Sequence, residues 1–184
     1  MTLRTSTVPD LWSFMLKLYA MPGAAQACLE LQDRFELDVP LFLALLHGAG
    51  RGYRIDSETI RALDNACGKW RAEVVRPLRA VRVQLKANPW KENHEPVVAF
   101  REKIKALELE AEKLEVSVLE KAIIALARTE NHVDKPARIA AVAHMVLSHF
   151  AADNLTGELP QASLIVDAVR RFCDASTEPE AVSQ

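Results

Sequence analysis

Apolar residues recur along this chain at intervals of three and four, and no stretch alternates apolar with polar residues as a half-buried strand would. Asp10 to Ala20 reads as a first helix, with Pro9 in its opening turn and Thr7 as its cap. At about 100° per residue, Leu11, Trp12, Phe14, Met15, Leu16, Leu18 and Tyr19 cover more than half its circumference and leave Ser13 and Lys17 for water. "MPGA" breaks that helix and the next starts at Pro22. On its wheel Ala24, Ala27, Cys28, Leu31 and Phe35 form one arc; Gln32 falls inside the arc, whereas Asp33 falls opposite, beside Gln26 and Glu30. Asp38 is placed to cap a third segment, Pro40 to about Gly48, which is apolar on every side except at His47 and should lie in the middle of the core. The glycines of "HGAGRGYR" read as a helix stop followed by a flexible loop.

Two long segments follow. Over Ser57 to Ala87, Ile60, Leu63, Cys67, Trp70, Val74, Leu78, Val81 and Leu85 keep the narrow three-four spacing of a helix packed lengthwise on another, with a local kink expected at Pro77. "ANPWKENHEP" is a turn. From about Pro96 to Arg128, Val97, Phe100, Ile104, Leu107, Ala111, Leu114 and Val118 make a matching seam, so the pair predicts an antiparallel helical hairpin. "TENHVDKP" interrupts the chain, with Asp134 or Asn131 as cap and Pro136 in the first turn of a buried, alanine-rich helix from Ala137 to Ala152. Pro160 to Cys173 makes a last amphipathic helix. The expectation is an all-α bundle of six or seven helices including the long hairpin, one domain over residues 1–175 and a flexible tail over 176–184.

Composition adds little to the fold but removes several functions. At 184 residues there is room for one sizeable core, and 49% hydrophobic with 26% charged residues is the balance of an ordinary globular chain. A net charge of -2 gives no global attraction to nucleic acid. Cys28, Cys67 and Cys173 are odd in number and form no CxxC pair, so they read as buried thiols of a reducing compartment. The start of the chain lacks a signal peptide, and Val39 to Leu46, its longest apolar run, is far too short to span a bilayer; a cytoplasmic protein is expected.

Chemistry-bearing patterns are sparse. GxSxG, P-loop and GxGxxG motifs are missing, and "GAGRGYR" follows a helix rather than a strand. His144 and His149 are five apart and diverge on a helix; His149 and Asp153 share a face but leave a metal short of ligands, so neither a metal nor a cofactor is expected. Asp33 and Asp38 alone do not make the facing aspartate-rich motifs of an isoprenoid synthase. Two candidates remain. Gln32 carries an amide that must find partners if buried; backbone bonds to a neighbouring loop or helix end would satisfy it, and so would a ligand in an apolar cavity shared with Trp12, Tyr19 and His47. The stretch Lys69 to Lys91 holds seven cations against Glu73 alone. In the hairpin Lys69 and Arg71 should meet the carboxylates of "ELEAEKLE", leaving Arg79, Arg82 and Lys86, with Arg76 beside them, to face the less acidic start of the partner helix and hold an anion or an acidic partner.

"LWSFMLKLYAMPGAAQACLELQDRFELDVPLFLALL", "WRAEVVRPLRAVRVQLK" and "ELEAEKLE" together resemble an uncharacterised proteobacterial family, known as a domain of unknown function, over roughly the first two thirds of the chain. The sequence departs from that pattern at Pro40, where the family has asparagine. The resemblance implies a bacterial cytoplasmic origin and a shared helical fold, with no activity to carry over. The expected function is therefore a non-enzymatic interaction or regulatory protein, self-associating through surplus apolar surface on the first three helices and the hairpin. A lipid-like ligand in an apolar pocket is the alternative, and nucleic-acid or anionic-surface binding through the basic stripe a third.

Overall fold

The computed structural model describes residues 11–89, 95–129, 134–151, 157 and 159–175; among them helices dominate and no strand forms. Thr7, His94, Asn131, His132, Asp153 and the tail 176–184, together with residues 90–94 of the turn, lie outside the described residues. The helices are α1 (Leu11–Tyr19), α2 (Ala24–Phe35), α3 (Val39–Gly50), α4 (Ser57–Trp70), α5 (Arg76–Ala87), α6 (Glu95–Ile124), α7 (Lys135–Ala151) and α8 (Pro160–Ala175). Because α4 and α5 are continuous through a π-helical turn at Arg71–Val75, the described bundle has seven rods.

Helix α3 is the axis of the core, packed by α1, α6, α7, α8 and the start of α4. Its apolar run makes this inevitable: Leu41, Phe42, Leu43, Leu45 and Leu46 lie on every side of the helix and all are completely buried. Each contributes about 1.5–3 kcal/mol of burial, so no orientation leaves α3 stable on a surface. Asp38 caps it as expected, its Oδ1 accepting from Leu41 N at 2.7 Å. Around this axis α2 buries the arc Ala24, Ala27, Cys28, Leu31 and Phe35 against α8. Helix α1 buries Leu11, Phe14, Met15 and Leu18, and Glu120 of α6 accepts the amide proton of Leu11 at 2.8 Å.

The glycine-rich stretch is not a flexible loop. Gly48 and Gly50 are helical and buried, and they are small because other helices approach there. A Cβ on Gly48 would lie 2.9 Å from Ile123 Cγ2, and one on Gly50 would lie 2.5 Å from Cys173 Sγ. Of the three glycines in this stretch only Gly52 takes a left-handed backbone, φ +86°. The chain beyond is tied down: Arg54 N donates to Ala127 O at 2.8 Å, Thr129 N to Gly52 O at 2.9 Å, and the Arg128 guanidinium lies 4.1 Å over the Tyr53 ring. Gly50→Ala is therefore expected to cost about 1–3 kcal/mol by overpacking. Adding Cys173→Ala should recover most of that loss, both read from urea unfolding midpoints.

Pro77 disturbs the long helix further upstream than expected. The Arg76 N–H reaches Arg71 O, five residues back, so the widened turn ends immediately before the proline. Pro77 lacks an N–H and would crowd the carbonyl of Glu73, four residues back; that residue sits inside the widened turn, where one extra residue relieves the contact.

The larger correction concerns α6. Most of the predicted seam is not its inward face: Phe100, Leu107, Leu114 and Val118 are each half-exposed and Val97 and Ile104 partly buried, and of that seam Ala111 alone is buried, alongside Glu108, Glu115, Val116, Leu119 and Ile123. The buried line stands roughly 100° round the helix from the exposed apolar one. Helix α5 behaves alike, burying none of its residues fully and leaving Val81 and Val83 exposed. The two helices run antiparallel, since Arg71 pairs with Glu115 whereas Arg79, eight residues on, pairs with Glu108 and Glu112.

Candidate functional site

The inward face of the α5–α6 pair is a ladder of ion pairs that separates two clefts. Arg79 sits at its centre: Nε donates to Glu108 Oε1 at 2.9 Å, Nη2 to Glu112 Oε1 at 2.5 Å and Nη1 to Gln32 Oε1 at 2.6 Å. Arg82 joins Glu108 through both Nε and Nη2, the latter at 3.1 Å. Burial pushes the Glu108 carboxyl up, but bonds from Arg82 and Arg79 outweigh it and hold the group below the usual carboxylate range. Glu112 goes the other way, raised first by burial and then by the charge of Glu108 against the opposing pull of Arg79.

On one side of this wall lies a polar cleft of about 380 Å³, lined by Asp38, Arg71 and Glu115 beneath Gln32, Arg79 and Glu112. Its floor is charged and buried. Arg71 leaves the π-helical turn with Nε on Asp38 Oδ2, Nη1 on Asp64 Oδ1 at 2.7 Å and Nη2 on Glu115 Oε1 at 3.4 Å. Asp64 also meets His149 Nε2 at 2.8 Å. Burial alone would raise the Asp64 carboxyl; His149 and Arg71 bring it below its ordinary value. Glu115 has no such surplus of donors, and burial, with Asp38 beside it, pushes its carboxyl up to about 8.

On the other side lies a more apolar cleft of about 400 Å³ between α1, α2, the start of α3 and the α5–α6 pair. Trp12, Leu16, Tyr19, Leu29 and Leu109 supply its walls, and Gln32, Arg79, Arg82, Lys105, Glu108 and Glu112 one polar side. Tyr19 turns its hydroxyl inward to the thiol of Cys28, so its ring faces the cleft as an apolar plate.

The sequence-predicted residues sort as follows. Trp12, Tyr19 and Gln32 are brought together in the apolar cleft. His47 is not with them: it is buried in the core, stacked on Phe14 with ring centroids 4.4 Å apart and edge-on to Phe172. Burial, reinforced by Arg51, pushes its imidazole down to about 4, so it is a neutral packing group at neutral pH. Gln32 is half-buried and its partner is a guanidinium, not the backbone. Asp33 is exposed as expected. Arg79 and Arg82 do not face an acid-poor surface; they point at Glu108 and Glu112, which removes them from the basic stripe. Arg76, on the rim of the polar cleft, is 3.9 Å from exposed Glu36, and Lys86 is exposed beyond both clefts.

Sequence reasoning missed Asp38 and Asp64 as partners of Arg71, and Leu16, Leu29 and Leu109 as rim residues. The i, i+4, i+7 spacing of Glu108, Glu112 and Glu115 was a visible signal for one carboxylate-bearing face. Among the described residues no group of three or more His, Cys, Asp or Glu side chains is arranged to hold a metal ion, and no helix is long and apolar enough to cross a membrane.

Both clefts and the whole Arg79–Glu112 wall fall within residues 10–119, which match the family model described as protein of unknown function (DUF2390). The chain belongs to this DUF2390 family. No curated protein and no solved structure matches it. In this DUF2390 chain, helices α7 and α8 and the last turns of α6 lie past the family match, so His149 reaches back from outside it to the ion cluster at Asp64.

Proposed function

We propose that this protein is a non-enzymatic interaction protein of the bacterial cytoplasm that works as a homodimer, the outer face of α5 and α6 in one copy packing on the same face of the other. The observation that carries this reading is the stripe Phe100, Leu107, Leu114 and Val118, half-exposed along α6 while glutamates occupy its buried side. The stripe extends onto the neighbouring helix: Trp70, itself 38% exposed, lies on α6 with Nε1 donating to Ala111 O at 3.0 Å, about one turn along the helix from both Leu107 and Leu114. A 30-residue helix is about 45 Å long. With α5, 12 residues and so about 18 Å long, beside it at about 8–10 Å, the face covers on the order of 500–600 Å² per copy, the low end of specific interfaces. One self-complementary face used twice gives a closed two-fold dimer rather than an open polymer. The buried thiols of Cys28 and Cys67 fit a reducing compartment.

Sedimentation velocity tests the reading. The wild-type chain is expected to sediment as a dimer at micromolar concentration, and Leu107→Glu with Leu114→Glu to sediment as a monomer with unchanged far-ultraviolet circular dichroism. A wild-type chain that stays monomeric at tens of micromolar overturns it.

A further inference from the structure

We propose that the apolar cleft bounded by α1, α2, α3 and the α5–α6 pair binds a single-chain amphiphile with a carboxylate head. The tail lies on Trp12, Leu16, Tyr19, Leu29 and Leu109, and the head meets Gln32 and Arg82. Three observations carry this.

First, the walls are apolar and open. Leu16, Leu29 and Leu109 are each about half-exposed, at 51%, 50% and 47%, although they belong to three different helices and converge on one cleft. Such convergence is unlike the scattered single leucines of an ordinary surface. The volume of about 400 Å³ falls in the range of ligand pockets.

Second, the polar side has donors to spare and most of its acceptors are committed. Arg79 and Arg82 together occupy both oxygens of Glu108, and Arg79 occupies one oxygen of Glu112. Glu108 takes the Nε and Nη2 groups of Arg82, so among the described residues its Nη1 has no acceptor. Gln32 spends its oxygen on Arg79, which fixes its Nε2 amide as a donor with no acceptor among the described residues.

Third, the cleft is lined by three cations, Arg79, Arg82 and Lys105, against two carboxylates, and the acid beside Lys105, Glu102 at 3.8 Å, is solvent-exposed and outside the lining, so an anionic head is favoured over a cationic one. Burial that raises Glu112 toward its neutral form adds to that preference. The site is built from the inward face of the α5–α6 pair and so stands independently of the dimer face.

The test uses 11-bromoundecanoate, whose bromine quenches indole fluorescence on contact, and 11-bromoundecanol as the same tail with a neutral head, both kept below the concentration at which they form micelles. The acid is expected to quench saturably in the wild-type chain, and the Trp12→Phe variant to lose most of that quenching. The alcohol should bind at least fivefold more weakly. Arg82→Gln should bring the acid to within twofold of the alcohol, and Leu29→Glu, on the exposed rim, should weaken the acid at least tenfold without changing the circular dichroism. If Arg82→Gln does not fold, Lys105→Gln, an exposed change, should narrow the gap between acid and alcohol at least twofold. Non-saturating quenching, equal quenching in Trp12→Phe, or equal affinity for acid and alcohol would overturn the proposal. The Leu107→Glu, Leu114→Glu chain should bind the acid as the wild type does.

Discussion

Arg71→Met is expected to destabilise the protein by about 3–5 kcal/mol, the usual cost of removing one partner from a buried ion pair. The residue is 9% exposed and meets three acids from three directions: the carboxylates of Asp38 at the start of α3 and Asp64 on α4, and the carboxyl of Glu115 on α6. A thioether in its place leaves the Asp38 and Asp64 carboxylates without their guanidinium beside the Glu115 carboxyl, with His149 on the far side of Asp64. For a domain of this size the loss corresponds to a fall in Tm of about 10–15 °C. Charge rather than packing is the reason, so neutralising the acids should reverse it. Asp38→Asn keeps the helix cap, and with Glu115→Met added the triple variant should regain most of the wild-type melting temperature. Calorimetry of the single and triple variants checks this; equal destabilisation in both would assign the role of Arg71 to volume.

Glu115→Gln is expected to change the pH dependence of stability more than stability itself. The native carboxyl titrates near 8 because it is buried beside Asp38, whereas in the unfolded chain it titrates near 4.5. Below pH 4.5 both states hold the proton and the group contributes nothing to the slope. Between 4.5 and 8 the native state retains a proton that the unfolded state releases, so stability falls as pH rises, and above 8 the native state carries the full cost of a buried charge. Glutamine is the neutral form made permanent. The variant should match the wild type at pH 4 and exceed it by about 2–5 kcal/mol at pH 9, read from urea unfolding at each pH. If Glu115 were instead held ionised by Arg71, the variant would be less stable than the wild type at pH 9.

The residues involved in these two predictions mark how far the sequence could be read. The arc of α2, the cap at Asp38 and the burial of every residue of "LFLALL" were legible, since each depends on local backbone geometry and on an apolar run too dense to face water. The cation-rich stretch and the carboxylates of "ELEAEKLE" were legible as mutual partners, and Arg71 with Glu115 bears this out. Their register was not, because the loop length and the widened turn before Pro77 decide which arginine meets which glutamate. His47 was misplaced for a different reason. One polar residue in an apolar helix looks like a ligand contact, but a neutral imidazole stacked on Phe14 packs as a flat aromatic ring. Leu16, Leu29 and Leu109 were invisible as a group, because nothing in one-dimensional spacing brings α1, α2 and α6 to one cleft.

What the sequence determined by itself was helical phase: which residues share a face, where caps and breaks fall, and that α3 must be central. Only the tertiary structure decided which of two adjacent stripes on α6 turns inward. Both are available, Phe100, Leu107, Leu114 and Val118 on one and Glu108, Glu112 and Glu115 on the other, and local periodicity favours burying the apolar one. Arg71, Arg79 and Arg82 reverse that preference. Desolvated guanidiniums need carboxylates within reach, so the glutamate stripe faces them, and the apolar stripe is left on the outer face of α6.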